Sequence, residues 1–276
     1  MEACERKVRV CFFVMMTILV SMPYTTSWGW STHFFITREA LRFLLEEERE
    51  IFSGCEGTLI ESSVLPDKWR DEGKDLESNH LYYPEKSGGT APDAIKKWYL
   101  ELVSDLVQKE FEEACMDAGV MAHYIEDMSM PLHTGEFTYH HTSYERSVNE
   151  RLSKYRIYDF TISYIEDVKA YVISEAKESN SHYQEILNLY DEGNWEALDE
   201  LTEKQLNLGV QSVANILHSA FVDAGYSGGE IRLDRKSLII SKMTYYLAVF
   251  KMPLLVILVI LILFFLLRRE KRKEGA

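Results

Sequence analysis

The chain has 276 residues, of which 46% are hydrophobic and 27% are charged, and its formal net charge is −14 at pH 7. This length suits one domain with a single core. The acidic balance disfavours non-specific binding to the phosphate backbone of nucleic acids, although it does not exclude catalysis on a phosphodiester.

The N-terminus has the pattern of a secretory signal. A basic segment, 6–9, precedes the apolar stretch 10–22, and a polar segment of small residues, 23–27, follows. The apolar stretch is shorter than the ~20 residues of a membrane-spanning helix, so a retained anchor is the less favoured alternative. We predict that 1–27 is a cleaved signal peptide and that the mature chain begins at Trp28.

Residues 28–222 are predicted to form one all-α domain. Apolar side chains recur at helical spacing in 38–51, in 93–130, which reads as one long helix or two, and in 206–221. Residues 144–176 are also predicted to be helical. Strand signals are scarce, so we expect a single multi-helix bundle.

Two cysteines, Cys55 and Cys115, remain after removal of the signal. They lack the CxxC spacing of a zinc site, and whether they form a disulfide in an oxidising compartment is left open by the sequence.

Metal-ligand residue types are concentrated in one stretch: His123, Asp127, His133, His141 and Glu145. His123 with Asp127, and His141 with Glu145, are four residues apart, so each pair projects an imidazole and a carboxylate from one helix face. One such pair occurs by chance on surface helices. Two pairs beside small and apolar neighbours indicate a buried site for more than one metal ion.

Three upstream residues, His33, Asp67 and His80, extend this set of ligand types. Alone, a histidine in a loop is usually just exposed, and Asp67 after a proline is typical of a helix cap. Together with the stretch above, they are candidate metal ligands.

The C-terminus is predicted to anchor the protein. Residues 245–267 are apolar except for Lys251 and reach about 34 Å as a helix, enough to cross a bilayer. The basic segment 268–276 marks the cytoplasmic side. We therefore predict a single-pass cell-membrane protein with its domain outside, joined to the span by a tether at 223–244.

The ordered set of candidate ligands resembles the zinc-dependent phospholipase C and S1/P1 nuclease superfamily, whose members are all-α phosphodiesterases with three zinc ions. Trp28 and His33 have the spacing seen in the nuclease branch, where the first residue after signal cleavage binds zinc through its α-amino nitrogen and carbonyl oxygen. The segment 127–133, DMSMPLH, is similar to the family's Asp-to-Pro-Leu-His segment. The resemblance spans about 28–149.

The resemblance implies a centre of about three zinc ions. The first ion would be bound by Asp67, His80, His123 and Asp127, the second by His133, His141 and Glu145, and the third by the main chain of Trp28, by His33 and by Asp127, which bridges. Imidazole nitrogen and carboxylate oxygen without thiolate suit zinc on independent grounds. Asp67 is also a candidate for orienting the attacking water or accepting its proton.

Three other histidines are placed outside the centre. The HxxxE spacing selects His141 over His140 as the partner of Glu145. His182 and His218 lie outside the motifs and are predicted to be non-catalytic.

The favoured function is phospholipase C-like hydrolysis of phospholipid headgroup esters by a zinc-activated water, in a membrane-anchored extracytoplasmic enzyme. Glu145 as the last ligand is phospholipase-like, since the nuclease branch typically has Asp there. Trp28 with His33 leans towards an S1/P1-type nuclease, which stays open, as does a non-catalytic zinc-binding surface domain.

Choline specificity is not predicted. The aromatics that choline-specific members place near the zinc-binding Asp and His do not recur, because Lys68 follows Asp67 and Glu77 precedes His80. The headgroup and the oligomeric state are left open.

Overall fold

The fold is described here from a computed structural model, which covers residues 29–136 and 138–226. The helices in chain order are α1 (Trp30–Leu41), α2 (Glu46–Ser53), α3 (Glu56–Ser62), α4 (Leu65–Asp71), α5 (Ala91–Gln108), α6 (Phe111–Ser129), α7 (Pro131–Thr134), α8 (His141–Arg151), α9 (Val168–Ser181), α10 (Tyr183–Glu192) and α11 (Trp195–Asp223). Two 3₁₀ turns, Glu77–His80 and Leu152–Lys154, complete the regular structure of this part of the chain. The prediction of an all-α fold is confirmed.

Several predicted segments lie outside the described residues: the signal peptide 1–27, Trp28, most of the tether, the membrane span 245–267 and the basic tail. Among the helices of 29–136 and 138–226, none combines the length and the apolar composition needed to cross a bilayer.

Helix α6 is the centre of the bundle. It packs against α5, α3, α11 and α1, and its residues are buried almost without interruption from Ala114 to Ser129. A helix that is surrounded on all sides belongs in the interior of a bundle. Gly119 permits the close approach of α3, because a Cβ there would stand 2.1 Å from the carbonyl oxygen of Leu59.

The region 93–130 forms two helices. Lys109 adopts a left-handed conformation with φ 65°, and the amide of Glu110 donates to the carbonyl of Asp105 at 3.0 Å. This arrangement satisfies the last carbonyls of α5 and turns the chain into α6.

The region 38–51 is also broken, contrary to its continuous helical spacing. Helix α1 ends at Leu41 and α2 begins at Glu46. The amide of Leu45 donates to the Glu48 carboxylate at 3.0 Å, which caps the new helix. The apolar residues continue across the break because the turn between the two helices is itself buried, with Leu44 only 3% exposed.

The prediction of helix through 144–176 is wrong in its middle. Helix α8 ends at Arg151, α9 begins at Val168, and most of 155–167 is neither helix nor strand. Its backbone amides are bound by side chains of α11 instead: Arg156 by Glu203 at 2.8 Å, Tyr158 by Asn207 at 2.7 Å, Ser163 by Asn215 at 2.8 Å and Ile165 by Ser219 at 2.8 Å. This ladder replaces the hydrogen bonds that a helix would make within itself.

The disulfide that the sequence left open is present. Cys55, the residue before α3, is bonded to Cys115 of α6 across 60 residues of chain. The bond fixes α3 against the central helix and reduces the freedom of the unfolded chain.

The carboxyl group of Glu175 lies buried between α9 and α11 and accepts a hydrogen bond from Ser212. Burial raises the pKa of Glu175 from 4.5 to about 8. Between these values the folded protein holds a proton that the unfolded chain has lost, so stability falls as pH rises from about 4.5 through about 8.

We expect Glu175→Gln to raise the Tm at pH 8 by about 2–10 °C and to flatten this part of the pH–stability profile. Thermal unfolding of the detergent-solubilised protein between pH 5 and pH 9 measures it. Glu178→Gln, an exposed change on the same helix, is the control and should leave the slope intact. An unchanged slope in Glu175→Gln would contradict the assignment.

Candidate metal centre

The predicted metal ligands converge on one buried site. Helix α1 supplies His33, α4 supplies Asp67, the first 3₁₀ turn supplies His80, α6 supplies His123 and Asp127, α7 supplies His133, and α8 supplies His141 and Glu145. None of these eight residues is more than 5% exposed. Trp28, the ninth predicted ligand, lies outside the described residues.

One group of ligand atoms joins His80, His123 and Asp127. The Nε2 atom of His123 lies 3.0 Å from Nδ1 of His80, and Oδ2 of Asp127 lies 3.0 Å from the His80 nitrogen and 3.3 Å from the His123 nitrogen. Asp67 borders this group, with Oδ1 at 3.8 Å from His123 Nε2. These are the four residues predicted to bind the first ion.

A second group joins His133, His141 and Glu145. The two Nε2 atoms are 2.8 Å apart, and Oε1 of Glu145 lies 2.8 Å from His141 Nε2 and 3.7 Å from His133 Nε2. This is the set predicted for the second ion.

A third group contains His33, Asp67 and His123. His33 Nε2 also lies 3.9 Å from Oδ1 of Asp127. The two Asp127 oxygens therefore face different groups, which is the arrangement that a bridging carboxylate needs. The proximity of Asp67 to His33 places it between the first and third groups, which the sequence did not predict.

Outer hydrogen bonds orient four of the imidazoles. His123 donates to the carbonyl of Ser63, and His133 donates to the carbonyl of His80, each at 2.8 Å. His80 donates to the Asp75 carboxylate at 3.1 Å, and His33 donates to the carboxyl group of Glu126. An imidazole that donates outward presents the lone pair of its other nitrogen to the site, as in metal-binding histidines generally.

The geometry fits zinc ions. Two ligand atoms that share an ion at about 2.1 Å each stand no more than about 4.2 Å apart, and the separations within the first and second groups, from 2.8 to 3.7 Å, satisfy this limit. The imidazole nitrogens of His133 and His141, at 2.8 Å, and of His80 and His123, at 3.0 Å, are close enough to share an ion within each pair. Among the described residues, the buried Oδ1 of Asp127 has no hydrogen-bond partner, so a ligand position is open on it.

The electrostatics of the site differ from one imidazole to the next. Burial lowers the pKa of His141 to about 4 and that of His33 well below its usual value. Burial also lowers the pKa of His80, but its hydrogen bonds to Asp127 and Asp75 outweigh burial and raise the pKa to about 9. The carboxylates thus attract positive charge into the site.

Four neighbours of the site were missed by sequence reasoning. Asp75 accepts from His80 and from the Tyr124 hydroxyl, at 3.1 and 2.7 Å, and Glu126 accepts from His33. Arg70 lies 3.1 Å from Asp67. Arg70 follows Asp67 at helical i+3 spacing, a signal that was available in the sequence.

The remaining histidines lie apart from the three groups. His140 is half-exposed and pairs with Asp191 at 3.1 Å. His182 pairs with residues of its own surface region, and His218 pairs with Glu48 at 2.6 Å.

The sequence profile of the family described as "Zinc dependent phospholipase C" matches residues 32–214, which includes all eight described ligand candidates. The chain belongs to this family. Its members are zinc-dependent enzymes that hydrolyse phosphodiester bonds, and the protein is one of them. The phospholipase C part of the resemblance is thereby confirmed, whereas the S1/P1 nuclease part is not shown.

Individual relatives agree with this assignment. A protein of Listeria monocytogenes named Phospholipase C is 21% identical over 198 residues, which are 60% of this chain and 68% of the relative. The alpha-toxin structures of Clostridium absonum and of an avian Clostridium perfringens strain share the fold, with TM-scores of 0.58 and 0.59 at 18% identity. They cover 78% and 76% of this chain, which spans 67% and 66% of their lengths.

We expect His141→Ala to lose about one zinc ion per protein and to lower phosphodiester hydrolysis at least ~100-fold, because the second group would keep only two ligands. Elemental analysis and a hydrolysis assay on the same preparation measure both effects. His140→Ala is the matched control, and we expect it to keep the wild-type metal content and activity. Equal effects of the two changes would refute the assignment of His141.

Proposed function

We propose that the protein is a membrane-anchored, extracytoplasmic phospholipase C that hydrolyses phospholipid headgroup esters. The observation that carries the proposal is the convergence of inward imidazole nitrogens and carboxylate oxygens into three groups within a protein of the zinc-dependent phospholipase C family. So many carboxylates in one buried site are unusual for structural zinc, which is typically bound by Cys and His in closed tetrahedra.

The reaction adds water across the P–O ester bond that joins the phosphorylated headgroup to diacylglycerol. The hydroxyl group goes to phosphorus, and the other proton of water goes to the departing glycerol oxygen. When bound, zinc polarises the phosphoryl group and makes water more acidic.

Asp67 is suited to handle the transferred proton. It lies at the border of two of the groups, and its carboxylate is held by Arg70 of the same helix, α4, at 3.1 Å. A carboxylate fixed in this way can orient water for attack and accept its proton. The Arg70 side chain is 7% exposed and lies at the edge of the site. Its guanidinium group brings a positive charge that can compensate the negative charge of a bound phosphodiester.

Exposed apolar side chains beside the site support a lipid substrate. Tyr139, two residues before His141, is 89% exposed, and Leu76, four residues before His80, is 67% exposed. Aromatic and aliphatic side chains of this kind suit the interface of a bilayer. The apolar segment 245–267 and the basic tail after it support anchoring with the domain outside the cell.

An aromatic cavity beside the site does not favour the nuclease alternative. This cavity, of about 600 Å³ beside Asp75, is lined by Trp69 and Trp98. The two indoles stack on each other, with centroids 5.9 Å apart, and Lys97 lies 4.2 Å from the Trp98 ring. The Trp98 ring is therefore already occupied by these contacts, which does not favour it as a platform for stacking a base.

The test uses the full chain, expressed with its signal and purified in detergent. Vesicles of phosphatidylcholine, phosphatidylethanolamine or phosphatidylinositol are assayed beside single-stranded DNA. We expect diacylglycerol release that a chelator abolishes and zinc restores, and a loss of at least ~100-fold in Asp67→Asn. Nucleotide release without diacylglycerol would move the protein to the nuclease alternative, and no turnover on either substrate would leave a non-catalytic zinc-binding domain.

The same preparation tests the anchor. The wild-type protein should fractionate with membranes, and a chain that ends at Tyr226 should appear in the soluble fraction. Recovery of the shortened chain in membranes would contradict anchoring by the C-terminal segment.

A further inference from the structure

Glu126 is a buried carboxyl group next to the centre and is not itself one of the candidate ligands. It is 0% exposed and lies on α6 between two candidate ligands, His123 and Asp127. Its Oε1 atom accepts from the Thr37 hydroxyl at 2.6 Å, and its Oε2 atom accepts from Nδ1 of His33. Thr37 and His33 are one turn apart on α1, so the carboxylate joins α6 to the α1 face that supplies His33.

The hydrogen bond to Glu126 sets the orientation of His33. Because Nδ1 donates to the carboxylate, Nε2 carries the lone pair, and Nε2 is the nitrogen that lies 3.9 Å from Oδ1 of Asp127. A carboxyl oxygen that accepts from the outer nitrogen also makes the inner nitrogen a stronger ligand.

His33 serves the third group alone. The other two residues of that group, Asp67 and His123, also border or belong to the first group. His123 and His133 are oriented by backbone carbonyls, which substitution does not remove. A side-chain acceptor on His33 is therefore the point where one ion can be weakened separately.

We propose that Glu126 is a positioning residue that holds His33 as a zinc ligand, so that its loss weakens the binding of one ion out of three. The proposal rests on the proposed function, because it assumes a zinc-loaded centre. Glu126 acts through His33 and takes no direct part in the reaction.

The chain provides a matched control. Glu48 is also 0% exposed and accepts from Nδ1 of a histidine, His218, at 2.6 Å, but neither residue belongs to a metal-ligand group. Changing either glutamate to glutamine keeps the side-chain shape and replaces one carboxyl oxygen with an amide nitrogen. A purely structural role would affect stability in both variants and zinc binding in neither.

The experiment compares wild type, Glu126→Gln and Glu48→Gln as full-length protein in detergent. Zinc content is measured by elemental analysis across a chelator series, with kcat and KM at limiting and at excess zinc. For Glu126→Gln we expect about 10-fold weaker binding of one ion, a lower kcat at limiting zinc with nearly unchanged KM, and recovery at excess zinc. Glu48→Gln should follow wild type.

A stronger variant, Glu126→Leu, should retain about two ions even at excess zinc. Wild-type affinity for all three ions in Glu126→Gln, or equal weakening in Glu48→Gln, would overturn the proposal. Failure of the proposed function is distinguished by the wild-type protein, which would then hold fewer than two zinc ions and release no diacylglycerol.

Discussion

The structure depends on buried metal-ligand atoms that are brought together in one small volume. Nε2 of His133 lies 2.8 Å from Nε2 of His141, and Nδ1 of His80 lies 3.0 Å from Nε2 of His123, in a region closed to solvent. Carboxylates crowd the same volume. In a low-dielectric interior such an arrangement is costly unless cations compensate it, so the fold and metal binding are energetically coupled.

The bundle supplies the rigidity that this arrangement requires. Helix α6 carries two candidate ligands, His123 and Asp127, together with Glu126, and neighbouring helices surround it. The disulfide at Cys115 fixes its first half to α3, and the close contact at Gly119 brings α3 against it. The carbonyl of Ser63, which follows α3, then orients His123. Packing far from the chemistry thus determines the direction of a ligand nitrogen.

Sequence reasoning found the ligand types because their spacing is local. His123 with Asp127, and His141 with Glu145, need only one helical turn each to meet, and the order of motifs matched a known family. It missed Asp75 and Glu126 because their partners lie on other elements, His80 across an irregular turn and His33 on α1. Such contacts depend on tertiary packing, which periodicity does not encode.

The same limit explains the errors in secondary structure. The apolar spacing of 38–51 does not reveal that Glu48 caps a new helix. The residue types of 144–176 do not reveal that polar side chains of α11 bind the backbone of its middle part and hold that part in a non-helical conformation. The predictions for position 28 and for a C-terminal anchor rest on the sequence alone, because both segments lie outside the described residues.

Two kinds of acceptor orient the imidazoles of the centre. Backbone carbonyls orient His123 and His133, while side-chain carboxyl groups orient His33 and His80. Anomalous X-ray diffraction at the zinc edge, on crystals of the signal-cleaved protein, tests the central claim most directly. We expect three zinc peaks, one beside each group, with Asp127 shared between two. A map without zinc peaks at these residues would contradict the claim.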